Sequence, residues 1–382
     1  MVLVITLVGN AAAIRSPSDL QESAWREADT ARITCSSLTA RAPRLEVAPR
    51  MLRVPTEPFG VTLTPNVSFV FAGLSNSVGV FARTDGRLRL RAKITVPEQA
   101  LGVTLTPDGR YLVVADGYGG AYVLDVTATE HGSRSAVMGQ LTSSGTGAIE
   151  ASVSPNGKYV FVTLENSDEL AVFNLHRAIA TGFTRYTPVG MVPLAQDPVG
   201  IAMSPGGRYL YVTSEVAPPS RQGTLSTIDL ATAETDPSRS ILTTVPAGCS
   251  PVRAVVAHGS VYVTARGSDS ILWFSSRSLA RDPSHALRGS VRVGPEPVGL
   301  ALVNRKTELL VADSNRFDTA PRANLALLHL DSDGRPTLSG YLRSGSFPRE
   351  VAATRSGGQA FVTNYGSSQL ESVSLPGGPS RT

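Results

Sequence analysis

The chain has 382 residues, 42% hydrophobic and 17% charged, which is enough to bury a large core. Its net charge is +4, its cations are scattered through loops and aromatics are only 6%, a composition that argues against nucleic acid, whose phosphates require clustered cations. No apolar run approaches the roughly 20 residues of a membrane span.

Met1 to Val8 is apolar and is followed by the small residues Ala11, Ala12 and Ala13. This reads as a weak secretory signal, because no Lys or Arg precedes the run. Both an extracytoplasmic and a cytoplasmic location fit. Residues 1–43 form a leader, of which 14–43 are polar with no strand pattern, either flexible or carrying a short helix. Cys35 in the leader and Cys249 further on are the only cysteines, too few for a disulfide framework. A single bridge and two free thiols both fit. Met51-Leu52-Arg53-Val54 then reads as a strand with no neighbour of its own.

From Pro58 onward one unit recurs. Its clearest copy runs from Pro198 to Thr213, and related copies begin near Pro58, Ala100, Ala148, Pro251, Pro297 and Pro348. Each copy reads as strand, turn, strand, then a third and often a fourth strand. In the third copy, Glu150 to Ser154 is the first strand and Pro155-Asn156-Gly157-Lys158 is the turn. Pro fixes φ there and Gly tolerates a positive φ. Tyr159 to Thr163 follows as a strand buried on both faces, Leu170 to Leu175 as the third strand, and Tyr186 to Leu194 includes the fourth. Seven units of four strands at intervals of 42–53 residues predict an all-β fold, a seven-bladed β-propeller of antiparallel blades over residues 44–375. The last copy lacks a fourth strand before the tail at 376–382, so the strand at Met51 is expected to complete blade seven and close the ring.

The runs Phe161-Val162-Thr163, Tyr211-Val212-Thr213, Tyr262-Val263-Thr264 and Phe361-Val362-Thr363-Asn364 resemble the YVTN-type seven-bladed propellers, which include surface-layer and lactonase-like proteins. The resemblance implies the fold. It leaves the chemistry open between lactone hydrolysis, cyclisation of the hetero-Diels–Alder kind, and binding without reaction.

In a propeller the first strand of each blade lines the central channel. Its start, the end of the second strand, and the loop from second to third strand all lie on one face of the ring. Four copies carry glycine at the third position of the first strand, namely Gly60, Gly102, Gly200 and Gly299. Three carry charges there instead: Glu150, Arg253 and Glu350. Buried charges need partners, and an ion pair at about 4 Å contributes roughly 4 kcal/mol at an effective dielectric near 20. These three are the candidate catalytic residues, with an ion network plugging the channel as their structural alternative. At the ends of the second strands come Asp116, Glu165, Glu215, Arg266, Asp313 and Asn364, with Tyr118 and Tyr365 close behind. The long loop after Asp313 carries Asn315, Arg316 and Phe317. Asp116, Tyr118, Glu165, Glu215, Arg266, Asn315, Phe317, Asn364 and Tyr365 are therefore the expected ligand wall.

None of the five histidines falls on the channel-mouth face, which weighs against a His-ligated metal or haem. No phosphate loop and no Gly-x-Ser-x-Gly elbow is present. The expectation is a monomeric propeller that acts on a small molecule without a metal or other cofactor. Cyclisation or isomerisation is the first reading. Lactone opening and an extracytoplasmic binding or scaffold role are the alternatives.

Overall fold

The structure is a computed structural model that describes residue 35 and residues 38–183, 188–216, 222–316 and 324–376. The signal-like run and Phe317 lie outside the described residues. The described residues belong to one unit, Thr34–Thr382. They form seven sheets of four antiparallel strands. In blade four, for example, the strands are Pro198–Met203, Tyr209–Ser214, Gln222–Asp229 and Ile241–Cys249. Blade three takes its fourth strand from Gly190–Pro193. Among the described residues no helix is long and apolar enough to cross a membrane.

The repeat encodes both the hairpins and the seams. At the first turn of blade two, the Thr106 hydroxyl donates to Asp108 Oδ1 (2.6 Å) and accepts from the Tyr111 amide (3.0 Å). Thr64 and Asn66 in blade one, and Ser154 and Asn156 in blade three, repeat the hydroxyl-to-side-chain bond. Ser or Thr before the Pro-Asn/Asp turn therefore satisfies groups that the turn leaves open. The aromatic and branched residues of the second strands pack between blades; Phe161, Val212, Val263 and Val362 are fully buried. Each such side chain contributes about 1.5–3 kcal/mol by leaving water.

The Thr that ends the Tyr-Val-Thr run joins neighbouring blades. Thr213 donates to the Val252 carbonyl (2.8 Å), Thr264 to that of Val298 (3.1 Å) and Thr363 to that of Phe59 (2.7 Å). Blades one and two use glycine amides for the same purpose, Gly60 to Leu101 (3.2 Å) and Gly102 to Ile149 (3.1 Å). A Cβ built on Gly200 would stand 2.1 Å from the Val252 carbonyl oxygen, so glycine is required by the closeness of the next blade. The residues with side chains at this level, in blades three, five and seven, are never next to one another around the ring.

Blades two to five carry a short helix between their third and fourth strands. These helices are capped by Asp125, Asn174, Asp229 and Ser275. Of the histidines, His131 ends the first of these helices and His176 lies within the second, while His329 sits on the third strand of blade six.

The leader is tied down rather than loose where it is described. Cys35 is disulfide-bonded to Cys249, so neither cysteine is free. The chain then runs along the outer strands of the next blades. Ala40 donates to Val293 in blade five (2.9 Å), and Leu45 to Tyr341 in blade six (2.7 Å). Arg50–Arg53 pairs antiparallel with Gln369–Ser374 as the fourth strand of blade seven, with Arg50 opposite Ser372.

Candidate active site at the channel mouth

A cavity of about 660 Å³ opens at the channel mouth. Its floor comes from the residue just before the glycine position in each copy: Phe59, Leu101, Ile149, Val199, Val252 and Val298 in six blades, and Arg349 in the seventh. Val199, Val252 and Val298 form one buried cluster with Ile149 against it. The Arg349 guanidinium carbon stands 3.5 Å from the centroid of the Phe59 ring, with Phe347 and Tyr365 at 5.8 and 6.0 Å. Its Nε is buried and finds no hydrogen-bond acceptor among the described residues. Burial, reinforced by the Arg253 charge, pulls the Arg349 pKa down to about 9, against the opposing pull of Glu350.

One residue further along the strands lie the three charges that replace glycine. Structure brings them together. Arg253 Nε is 2.9 Å from Glu350 Oε2 and 3.3 Å from Glu150 Oε2. The Arg253 Nη1 also reaches the carbonyls of Val199 and Val252, both at 3.4 Å. Burial disfavours the charge on Arg253, but Glu150 and Glu350 outweigh it and hold its proton above the ordinary range. Burial lifts Glu150 to about 7, with Arg253 opposing and Glu350 assisting. Of the three, Arg253 lines the cavity; the two glutamates flank it.

The wall is set by strand register. The last residues of the second strands, Ser214 and Asn364, stand opposite Pro198 and Pro348. Asp313 holds that position in blade six, opposite Pro297. The next residue along turns the other way, into the mouth, because successive side chains alternate. Glu165, Glu215, Arg266 and Tyr365 hold this second position and line the cavity, together with Ser75. Asp116 and Asn364 do not. Asp116 accepts from the amides of Tyr118 (2.8 Å) and Gly120 (3.0 Å) and from Gln140 (2.8 Å). Asn364 accepts from Ser344 (3.0 Å) and donates to Glu371 (2.8 Å). Both are buried structural groups. Tyr118 is 66% exposed and lies outside the cavity lining, as does Asn315, whose amide bonds Pro295 (3.2 Å).

Arg266 donates to Glu215 through both terminal guanidinium nitrogens, Nη1 to Oε1 and Nη2 to Oε2. Burial raises the pKa of Glu215 against the pull of Arg266. Glu165 is also raised, by burial and then by Asp197, while Arg349, Arg266 and Arg316 all pull it down. Glu165 and these three arginines line the same cavity. Arg316 lines the cavity and lies 5.5 Å from the Phe347 ring; burial and Arg266 lower its pKa. Arg349, the floor cation, escapes a comparison keyed to the glycine position. One residue earlier in the repeat, six copies are apolar and the seventh carries Arg349. Among the described residues no three His, Cys, Asp or Glu side chains converge as metal ligands.

A family model described as "Lactonase, 7-bladed beta-propeller" matches residues 98–217, which span blades two to four up to the second strand of the last. No curated protein sequence matches the chain. Among solved structures, one from Kuenenia stuttgartiensis hydrazine synthase superposes with a TM-score of 0.67 at 14% identity, covering 89% of this chain and 99% of that one. A chain in the crystal structure of a mitotic checkpoint complex gives 0.68 at 14% identity, covering 89% and 98%. At this identity the two share the fold with this chain and nothing more.

Proposed function

We propose, on the premise that this chain belongs to the seven-bladed β-propellers and is lactonase-like over residues 98–217, that the channel-mouth cavity binds a small lactone and opens its ring with water. The observation that carries this reading is that Glu165 lines one cavity with Arg349, Arg266 and Arg316, whose charges oppose the rise that burial gives its pKa. Glu165, ionised, takes a proton from water as the water oxygen bonds to the lactone carbonyl carbon. The carbonyl electrons move to oxygen, and guanidinium N–H groups receive that charge; Arg349 Nε–H has no other acceptor among the described residues. Collapse breaks the ring C–O bond. The departing oxygen takes the proton back from Glu165 and leaves a hydroxy acid. Water alone is consumed, and no redox group is required. A carboxyl whose pKa is raised by burial suits a base working near neutrality.

Cyclisation would draw its acid or base from Glu150 or Glu350. Neither lines the cavity, which favours ring opening at Glu165 instead. The site is built within one chain, so a monomer suffices. The Cys35–Cys249 bridge supports an oxidising, extracytoplasmic location. Turnover of a panel of γ- and δ-lactones, followed by pH-stat, tests the proposal. Glu165→Gln is expected to lower kcat at least 100-fold with KM little changed. Full activity in that variant, or no turnover of any lactone by the parent protein, ends the reading.

A further inference from the structure

We infer that the open outer edge of blade one is a docking strand for an extended acidic segment of a partner protein. The inference goes beyond the lactone chemistry and does not depend on it.

The leader stops where this edge begins. Past Cys35 it runs outside blades five and six, where Leu45 donates to the Tyr341 carbonyl (2.7 Å) and Tyr341 donates back to that of Pro43 (2.9 Å). It then supplies Arg50–Arg53 as the outer strand of blade seven. An extended segment thus already pairs with outer strands of this ring. The next outer strand around the ring, Arg87–Thr95, ends the sheet of blade one. It pairs with Ser77–Thr84 on its inner side, and among the described residues its outward N–H and C=O groups bond no other backbone.

What the edge presents is positive charge. Arg87, Arg89, Arg91 and Lys93 are all exposed, and Arg50 and Arg53 stand exposed on the neighbouring outer strand. Arg50 Nη1 reaches across to the Gly86 carbonyl (3.0 Å), so the two strands carry one continuous patch. Among the described residues none of these six cations forms an ion pair. Asp85, at the hairpin tip, is the one carboxylate between Ser77 and Thr95. Charge can serve merely to guard an open edge against unwanted pairing. The outer strands of blades two, three and four also end their sheets, however, and they contain no charged residue. The ring does not require such a guard, so the cations at blade one select a partner of opposite charge.

Leu88 and Leu90 alternate with the arginines, and Leu90 and Met51 are 39% and 38% exposed. A groove of about 440 Å³ lies between the two outer strands, lined by Leu52, Leu88 and Leu370 as well as Arg50 and Arg87. A peptide of carboxylates interleaved with branched apolar residues matches this alternation. Its main chain takes the open edge, its carboxylates meet the guanidiniums, and its apolar residues enter the groove. A bulge at Arg91 interrupts the register, so pairing runs along Arg87–Leu90 or Ala92–Thr95 rather than the whole strand.

The probe is a fluorescein-labelled peptide of alternating Glu and Val, titrated with the full chain and read by fluorescence anisotropy. We expect saturable micromolar binding that weakens as salt is raised. It should weaken about tenfold or more in the Arg87→Gln, Arg89→Gln double variant and in a peptide with Gln for every Glu. Both arginines are exposed, and an unchanged urea midpoint checks that the variant is folded. Two further peptides, N-methylated on either the Glu or the Val residues, decide whether a strand is formed. A strand shows alternate N–H groups to opposite edges, so one of the two should lose binding and the other keep it. Equal behaviour of the two overturns the inference, since charge alone would then hold the peptide. Absence of binding overturns it too. So does a protein that ignores the peptide and sediments with vesicles of equal phosphatidylserine and phosphatidylcholine, which would assign the patch to a membrane surface.

Discussion

The Arg349 guanidinium lies over the face of Phe59, 3.5 Å from carbon to ring centroid, at the seam where the last blade meets the first. A cation stacked on a ring keeps its charge without spending its N–H groups, so they stay available to a ligand. This pair gives the cavity its direction.

Arg349→Gln is therefore expected to separate function from stability. Loss of an oxyanion donor costs about 100- to 1,000-fold in kcat. The Nε it removes has no protein partner among the described residues, so the unfolding free energy should move by less than about 1 kcal/mol. Parallel lactone kinetics and urea melts check this; a large stability loss with activity preserved would make Arg349 a structural residue.

The charged trio predicts a pH dependence of stability. Glu150 titrates near 7 in the folded chain and near 4.5 when unfolded. Below 4.5 both states hold the proton. Between 4.5 and 7 the folded state retains a proton that the unfolded state releases, so stability falls as pH rises through this window. Glu150→Gln should be more stable than the parent at pH 8, with the difference shrinking towards pH 4.5. Urea midpoints at pH 5 and pH 8 measure it. An unchanged difference between the two would show that Glu150 is ionised throughout.

Glycines of the repeat should split into two classes. Gly200→Ala places a Cβ 2.1 Å from the Val252 carbonyl oxygen and is expected to cost about 1–3 kcal/mol or more as the blades are forced apart. Gly206→Ala meets nothing within 4 Å and has no positive φ, so it should be neutral or stabilising by about 0.4–1 kcal/mol. Thermal melts of the two variants rank them; equal effects would contradict the packing argument.

The disulfide gives a fourth test. Cys35 and Cys249 are 214 residues apart, and in the chain-entropy model a bridge across so long a loop stabilises by about 5 kcal/mol. Cys35→Ser should lower the urea midpoint substantially, and dithiothreitol should do the same to the parent protein. No shift in either case would mean that the belt is held by its hydrogen bonds alone.

The blade count and the strand pattern were legible because turn and strand residues repeat with the period of the structure. The site was legible only in part, for a reason of register. Side chains alternate across a strand, so a one-residue offset exchanges a wall group for a buried one. Asp116 and Asn364 fell on the buried side of that alternation, while Glu165, Glu215, Arg266 and Tyr365 fell on the open side. Blades do not all leave the second strand at the same residue type, and nothing local in the sequence marks the offset. Arg349 was hidden differently. It stands one position before Glu350, outside the glycine position at which the copies differ by charge. The cysteine bridge could not be read at all, because it depends on where the leader runs outside the repeats.

The belt from Cys35 to Arg53 also bears on the order of assembly. The strand at Arg50–Arg53 is made early but has its place beside Gln369–Ser374, made near the end. During synthesis it has no partner until the chain has been made as far as Gln369–Ser374. The floor of the cavity is complete only when the last blade stands against the first, since Arg349 and Phe59 meet across that seam. Any function of this site belongs to the finished molecule and to none of its growing intermediates.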